Sequence, residues 1–329
     1  MILAGDIGGT KTRVALFGRD GSGRLTLQTE RSYPSREHES LEAIVALFLK
    51  QPAATIEAAS FGVAGPVRQG RCETTNLPWV IEAKSLAALV GLPKAGLIND
   101  LEANAWGLDE LAPADLLALN PGAPGAEGNS AIISAGTGLG EAGIYWDGRR
   151  SLPFATEGGH TDFAPKNDLE DDLLGFLRAR YGRVSWERVV SGPGLVNIYE
   201  FLRDSGRFQE SPTMAAAMAA ENQHGDAAAA ISTTALSGTC PLSSQALDLF
   251  VSLYGSEAGN LALKTMSTAG IYVGGGIAPR IVERLRAGGF MEAFVTKGRM
   301  RTLLESMPVR VVLNDSSALL GAARHAAEA

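Results

Sequence analysis

The chain has 329 residues, longer than one hydrophobic core usually grows, so two lobes sharing a ligand cleft are expected. Hydrophobic residues make up 45% and charged residues 20%, the balance of a globular protein and not of a disordered one. Acidic residues outnumber basic ones by 36 to 29, and the net charge of -7 disfavours nucleic acid as the main partner.

The two cysteines, Cys72 and Cys240, are too few for a disulfide framework or a four-cysteine zinc site and read as thiols in a reducing compartment. The opening Met1-Ile2-Leu3-Ala4-Gly5-Asp6 lacks the basic start and long apolar run of a signal peptide. No apolar run reaches the roughly 18 residues that a membrane span needs. The expected location is the cytoplasm.

Ile2 to Asp6 reads as a strand, Gly8-Gly9-Thr10 as a tight turn and Arg13 to Phe17 as a returning strand, together a hairpin with a glycine tip. A third strand is predicted over Arg24 to Ser32. Leu41, Ile44, Val45 and Phe48 give Leu41 to Lys50 helical spacing. Strands follow at Ala58 to Ala64 and Ala95 to Ile98, and the alternation of strands with helices sets the class as α/β. Between Ala112 and Gly128 the composition turns to Pro, Gly, Ala and Asn, predicting a surface connection and a lobe boundary.

The opening pattern then returns, with a strand at Ala131 to Ala135, the turn Gly136-Thr137-Gly138-Leu139-Gly140 and a strand at Ala142 to Trp146. This is a weak repeat of whole half-molecules. Helices are predicted at Asp168 to Tyr181, Leu195 to Arg203, Pro212 to Glu221 and Leu242 to about Ser267. In the last of these, Leu247, Phe250, Val251, Tyr254, Ala258, Leu261 and Ala262 form one stripe. A strand at Ala269 to Val273 ends in Gly274-Gly275-Gly276, and another covers Val309 to Leu313. Ser316 or Ser317 can cap a closing helix through Ala326.

Gly5 to Thr12 is not a P-loop: Thr10 stands where the second glycine belongs, and a strand follows where a helix is required. Neither glycine hairpin matches the dinucleotide pattern. A glycine tip can still cradle phosphate, because successive backbone N–H groups converge on an anion with no side chain in the way and a threonine adds a hydroxyl. A single tip is equally a β-turn that needs positive φ. Two such tips plus the turn at Gly274-Gly275-Gly276, each closing an apolar strand, point to one nucleotide site.

On these residues the sequence resembles the sugar-kinase, actin and heat-shock-chaperone superfamily. The resemblance implies two duplicated ribonuclease-H-like α/β lobes, an actin-like ATPase fold, with a central ATP and sugar cleft. It assigns Asp6, Gly8, Gly9 and Thr10, with Lys11, Thr12 and Arg13 beside them, to the first phosphate motif. Gly136, Thr137 and Gly138 form the second, and Gly274, Gly275 and Gly276 the adenosine motif. The expected lobes are 1–110 joined by a C-terminal helix at about 301–329, and 111–300. Lys11 and Arg13 also fit plain exposed positions on a strand.

Four further segments, Leu97-Ile98-Asn99-Asp100-Leu101-Glu102-Ala103, Thr156-Glu157-Gly158-Gly159-His160-Thr161, Trp186-Glu187-Arg188-Val189 and Ser191-Gly192-Pro193-Gly194-Leu195, are similar to the bacterial glucokinase family. That resemblance implies that Asn99, Asp100, Glu157, His160 and Glu187 hydrogen-bond the hydroxyls of glucose and that Asp100 is the general base for phosphoryl transfer from ATP, the first step of glycolysis. Read alone, Asn99-Asp100 is also a helix N-cap, His160 a structural histidine and Glu187 an acid near a helix start. A carboxylate of ordinary pKa, about 3.9, cannot strip an alcohol in advance, so proton transfer would be late and orientation decisive.

Glu157 and His160 flank two glycines and so belong to a turn, unlike the helical pattern of zinc hydrolases. Mg²⁺ is implied, to shield the phosphates, with Asp6 reaching it directly or through water. Lobe closure on the sugar would exclude water, and the family resemblance implies a homodimer. Two alternatives stay open: a kinase for another hexose, and a sugar-sensing regulator without catalysis.

Overall fold

The computed structural model describes residues 1–21, 23–50, 55–74, 76–224 and 227–328. In chain order the first elements are β1 (Ile2–Ile7), β2 (Lys11–Arg19), β3 (Leu25–Pro34), α1 (Leu41–Leu49) and β4 (Ala58–Val63). The short strands β5 (Arg71–Glu73) and β6 (Val80–Glu82) pair as a separate antiparallel ribbon. Then come α2 (Ala83–Val90), β7 (Gly96–Asn99) and α3 (Asp100–Gly107). The first sheet has the order β3-β2-β1-β4-β7, antiparallel along the hairpin strands and parallel from β1 through β4 to β7.

The chain continues through β8 (Leu116–Asn120), β9 (Ser130–Ala135), β10 (Leu139–Trp146) and β11 (Ser151–Ala155). A helical stretch follows, α4 (Asp168–Tyr181), α5 (Gly192–Asp204), α6 (Pro212–His224), α7 (Ala227–Leu236) and α8 (Pro241–Thr265). The last elements are β12 (Gly270–Gly274), α9 (Val282–Arg286), α10 (Gly289–Val295), α11 (Arg301–Glu305), β13 (Val309–Val312) and α12 (Ser317–Glu328). The second sheet runs β11-β10-β9-β12-β13-β8. Without β8, its strand succession is that of the first sheet, so the repeat read weakly from the glycine turns extends to whole sheets.

The expected surface connection at Ala112 to Gly128 needs correction, because it contains β8. Leu116 to Asn120 pairs antiparallel with β13, and Leu117 and Leu119 pack on the core. Apolar residues at alternate positions outweighed the surrounding Pro and Gly. By compactness the chain divides into Met1–Asp115 with Ala142–Ala155 and Asn314–Ala329, and Leu116–Glu141 with Thr156–Leu313. Residues 301–313 fall in the second unit, where β13 pairs in parallel with β12.

In the first unit, strand alternation sends Leu3, Ile7, Val14 and Leu16 to the face covered by Leu41, Ile44, Val45 and Phe48 of α1. Ile2, Ala4, Ala15 and Phe17 face the other way and meet Leu319, Ala322, Ala323 and Ala326 of α12. Each fully buried large side chain contributes about 1.5–3 kcal/mol. Helix α12 also lies backbone to backbone on α3, since a Cβ on Gly321 would overlap the Ala103 carbonyl and one on Gly107 the Ser317 carbonyl. Ser317 Oγ donates to Asn104 Oδ1 at 2.6 Å across the same contact.

The second unit is built around α8, which is buried far beyond the predicted stripe: Leu249, Leu253, Gly255, Ser256, Glu257 and Gly259 are covered as well. Helix α10 covers that side, with the carbonyls of Phe290 and Phe294 seated on Gly255 and Gly259. Tyr254 fastens α8 to the sheet, its hydroxyl accepting from Ala135 N at 3.1 Å and reaching the Ile133 and Gly274 carbonyls, each at 3.2 Å.

Gly321→Ala places a methyl group inside the α3–α12 contact and is expected to cost about 1–3 kcal/mol of stability. Thermal unfolding checks this. An unchanged midpoint would mean that the two backbones do not touch there.

Candidate functional site

The β1–β2 tip is fixed by short-range bonds. Gly8 N donates to Lys11 O at 3.0 Å, and Ser35 Oγ donates to Gly8 O at 2.8 Å. Ser35 N donates to Thr10 O at 2.9 Å. Thr12 points inward, fully buried, with its hydroxyl 2.9 Å from Ser35 Oγ, so it braces the tip while Thr10 and Lys11 are exposed on it. Neither Gly8 nor Gly9 has left-handed backbone. Gly9 is required by the approach of Asn76, whose Cβ would stand 2.6 Å from an added methyl.

Arg13 serves the fold. Its Nε donates to Glu30 Oε1, Nη1 to Asp315 O and Nη2 to Ser316 Oγ, each at 2.8 Å, tying β2 to the entry of α12. Asp6 lies opposite Arg13 in the strand register. Burial pushes the Asp6 carboxyl up to about 6; Arg13 opposes the shift, Asp315 adds to it, Lys11 opposes it and Glu30 adds to it. Among the described residues no three His, Cys, Asp or Glu side chains converge as a metal cage. A buried carboxyl whose charged form is disfavoured by desolvation would gain from a cation, and Asp6 suits a Mg²⁺ whose other ligands are phosphates and water.

In the second unit the glycines separate into two kinds. Gly275 has φ +82° and a Cβ there would overlap the Ala135 carbonyl, so local structure demands it. Gly136 and Gly276 have ordinary backbone, and a Cβ on either would meet nothing within 4 Å. Both line a cavity of about 880 Å³ with Thr137, Tyr181, Pro193 and Arg280. Glycine at two unstrained, open positions on one cavity wall leaves backbone accessible to an occupant, and the bland turn explanation does not apply to them.

Sequence reasoning did not select Arg180, Tyr181, Asn197 or Arg280 from that wall, although the Ser191-Gly192-Pro193-Gly194-Leu195 segment pointed there. Ser191 caps α5 through Gly194 N at 3.0 Å, and Gly192 N donates to Gly136 O at 2.8 Å, joining the helix start to the glycine tip. Tyr181 is held by its hydroxyl on Asn197 Oδ1 at 2.9 Å, with the Arg188 guanidinium 4.2 Å from its ring centre.

At the head of α3 both Asn99 and Asp100 accept from free N–H groups of the helix start. Asn99 is the N-cap: its Oδ1 accepts from Leu101 N at 2.8 Å and Glu102 N at 3.4 Å, and its Nδ2 donates to Gly65 O at 3.2 Å. Asp100 is the first helical residue, half-buried, with Oδ1 2.9 Å from Leu101 N. Gly62 lets α3 lie close on β4, since a Cβ there would stand 2.7 Å from Ala103 Cβ.

Glu157 precedes the 3-10 turn Gly158–His160 and His160 ends it, both more than half exposed, with Oε2 and Nε2 3.9 Å apart. The turn rests on β10, where a Cβ on Gly159 would overlap the Leu139 carbonyl. Glu187 is brought to the second glycine tip, its Oε2 accepting from Leu139 N at 3.0 Å and lying 2.5 Å from where a Gly138 Cβ would stand. The second unit thus gathers Glu187 and Gly138 at one end of β10 and holds the Glu157–His160 turn on the same strand.

A family model described as Glucokinase matches residues 3–329. The glucokinase of Nostoc punctiforme is 43% identical to the chain, over 99% of this chain and 99% of its own length. A glucokinase structure from an Antarctic psychrotroph matches with a TM-score of 0.86 at 31% identity, covering 100% of this chain and 99% of that one. A ROK family glucokinase from Streptomyces griseus, solved in complex with glucose and AMPPNP, shares the fold with a TM-score of 0.66 at 21% identity, covering 100% and 99%.

The two kinds of glycine should respond differently to a methyl group. Gly136→Ala is expected to stay within about 0.5 kcal/mol of the parent stability, as an unstrained position does, whereas Gly275→Ala should lose about 1–3 kcal/mol. Parallel denaturant titrations separate them. Equal losses would refute the distinction.

Proposed function

The chain belongs to the glucokinase family and has its actin-like ATPase fold, and from that premise we propose that it transfers the γ-phosphoryl group of ATP to the 6-hydroxyl of D-glucose, opening glycolysis, with Asp100 as general base. The observation that supports the residue assignment is the fixed position of Asp100 at the junction of β7 and α3. Asn99 is the N-cap, and Asp100 follows it at the first helical position, its Oδ1 sharing the Leu101 N–H, so its carboxylate is fixed at the head of the helix. Its place at the carboxyl end of β7 is where α/β folds collect ligands.

In this reading Asp100 orients the 6-hydroxyl toward phosphorus and accepts its proton late, as the new O–P bond forms and the bond to the ADP oxygen breaks. Asn99, Glu157, His160 and Glu187 contribute the hydrogen bonds that select the hydroxyl arrangement, and a site built in this way rejects a sugar lacking a partner hydroxyl. The tips around Gly8-Gly9-Thr10 and Gly136-Thr137-Gly138 hold phosphate through backbone N–H groups. Gly276, Tyr181 and Arg280 line the cavity suited to the nucleoside. Asp6 would hold Mg²⁺, which supplies charge neutralisation at the phosphates.

Among the described residues no helix is long and apolar enough to cross a membrane. A cytoplasmic homodimer completes the proposal.

Coupled measurement of ADP release with glucose, mannose, fructose and N-acetylglucosamine tests the substrate, and no turnover with any of them would reject the kinase reading. Asp100→Asn should keep glucose binding and lose kcat by roughly 10² to 10⁴. Near-normal turnover would assign Asp100 to binding alone. Gly136→Val should raise the KM for ATP more than that for glucose, and the opposite split would remove the second tip from the nucleotide site.

A further inference from the structure

Beneath the Glu157–His160 turn lies a buried acid that the proposed mechanism does not use. Glu141, on β10, is 2% exposed. A Cβ on Gly158 would overlap its Oε2, so this carboxyl is in direct apposition to the turn's backbone. Thr156 Oγ1, at the start of the same loop, donates to the Glu141 carbonyl at 2.9 Å and lies 3.3 Å from Gly158 N. Glu141 Oε1 meets no N–H or hydroxyl donor among the described residues, while the carboxyl lies within hydrogen-bond reach of Glu257.

A second buried acid faces it from α8. Glu257 is 0% exposed, but it is well supplied with donors: Lys264 Nζ at 3.2 Å and Asn260 Nδ2 at 2.7 Å. Asn260 is oriented by Lys297, whose Nζ donates to Asn260 Oδ1 at 2.6 Å and to Ser256 O at 2.9 Å. Lys166 and Glu170 stand beside Lys297, and Tyr254 is the remaining titratable group of α8 that senses Glu141. Two carboxylates cannot both be charged at such a site, and the positive partners belong to Glu257. The proton therefore resides on Glu141.

We propose that Glu141 is a positioning residue for glucose recognition, supporting the Gly158–Gly159 turn from beneath and so setting where Glu157 and His160 present their side chains. The inference rests on the reading of Glu157 and His160 as sugar contacts. Neutral Glu141 tolerates Glu257 on one side and the backbone of Gly158 on the other. Its ionisation sets a second buried negative charge against Glu257, and the repulsion displaces the carboxyl on which Gly158 rests.

Burial, followed by the charge of Glu257, moves the Glu141 carboxyl up to about 8, while Lys264 opposes the shift. Loss of the proton thus falls just above neutral pH. An acid raised in the folded state costs stability as pH climbs from its unfolded value through its folded one, because the unfolded chain releases the proton first. Glu141→Gln, an uncharged isostere, should gain in melting temperature over the parent from about pH 4.5 to about pH 8, with the difference levelling off above.

The deciding experiment measures KM for glucose and for ATP between pH 6.5 and 9 in the parent, Glu141→Gln, Glu141→Ala and His160→Ala. In the parent, the glucose KM should rise about fivefold from pH 7 to 9 while the ATP KM moves less than about twofold. Glu141→Ala should raise the glucose KM about tenfold at pH 7. Glu141→Gln should restore it to within about threefold of the parent and flatten the alkaline rise. If Glu141→Ala does not fold, the comparison of the parent with Glu141→Gln decides alone.

An alkaline rise that persists in Glu141→Gln belongs to another group such as Lys297 and overturns the proposal, as does a parent profile without the rise. If His160→Ala leaves the glucose KM unaltered, the sugar-contact reading fails. If His160→Ala raises it and the Glu141 variants do not, only the positioning role fails.

Discussion

Backbone touching backbone is the constraint on which the rest of this molecule depends. Two helices, or a loop and a strand, can approach that closely only where a side chain is missing, and the chain places glycine at each such junction. Gly321 and Gly107 set the backbone distance between α12 and α3, and Gly62 makes room on β4 for the Ala103 side chain of α3. The position of Asp100 follows from these three. In the second unit, Gly159 seats the Glu157–His160 turn on Leu139, Gly275 seats the third glycine turn on Ala135, and Gly255 seats α10 on α8. A close-packed interior transmits small displacements over several residues, so side chains carried on these elements inherit their precision from contacts that contain no functional group.

Charge is handled differently in the two units. In the first, Arg13 is spent on architecture: Glu30 and the start of α12 occupy its guanidinium, and that same cation restrains the rise at Asp6. In the second, ionisable groups lie under the sheet and beneath the candidate sugar turn, where Glu141, Glu257, Lys264 and Lys297 form a ladder with fewer cations than its acids require near Glu141. A buried pair of this kind contributes little net stability, and what it supplies is a fixed local geometry with a protonation state attached.

Much of this was legible in the sequence because it depends on period and spacing. The stripe of α8, the alternation of β1 and β2 and the three glycine turns each leave a one-dimensional trace. β8 did not, since a five-residue edge strand within Pro- and Gly-rich sequence gives too short a pattern. The roles of individual residues within a motif were also hidden. Thr12 and Arg13 read as neighbours of a phosphate tip, yet one braces Ser35 and the other holds residues 315–316, partners more than 20 and 300 positions away. Glu141 left no mark of its own, because its burial against Glu257 joins residues 116 positions apart. The glycines that are structural and those that leave a wall open differ only in φ and in what a methyl would strike, neither of which a sequence displays.

The closing helix carries a consequence for how the molecule is made. One wall of the first unit's core, Leu319, Ala322, Ala323 and Ala326, comes from the far end of the sequence and packs on Ile2, Ala4, Ala15 and Phe17. During synthesis the second unit, whose residues end at Leu313, has all its parts before the first unit has its own. For that interval the apolar face of the earliest strands has no cover, a state in which nascent chains associate or recruit holding factors. The wall that seals this face of the first unit's core is therefore translated after every residue of the second unit.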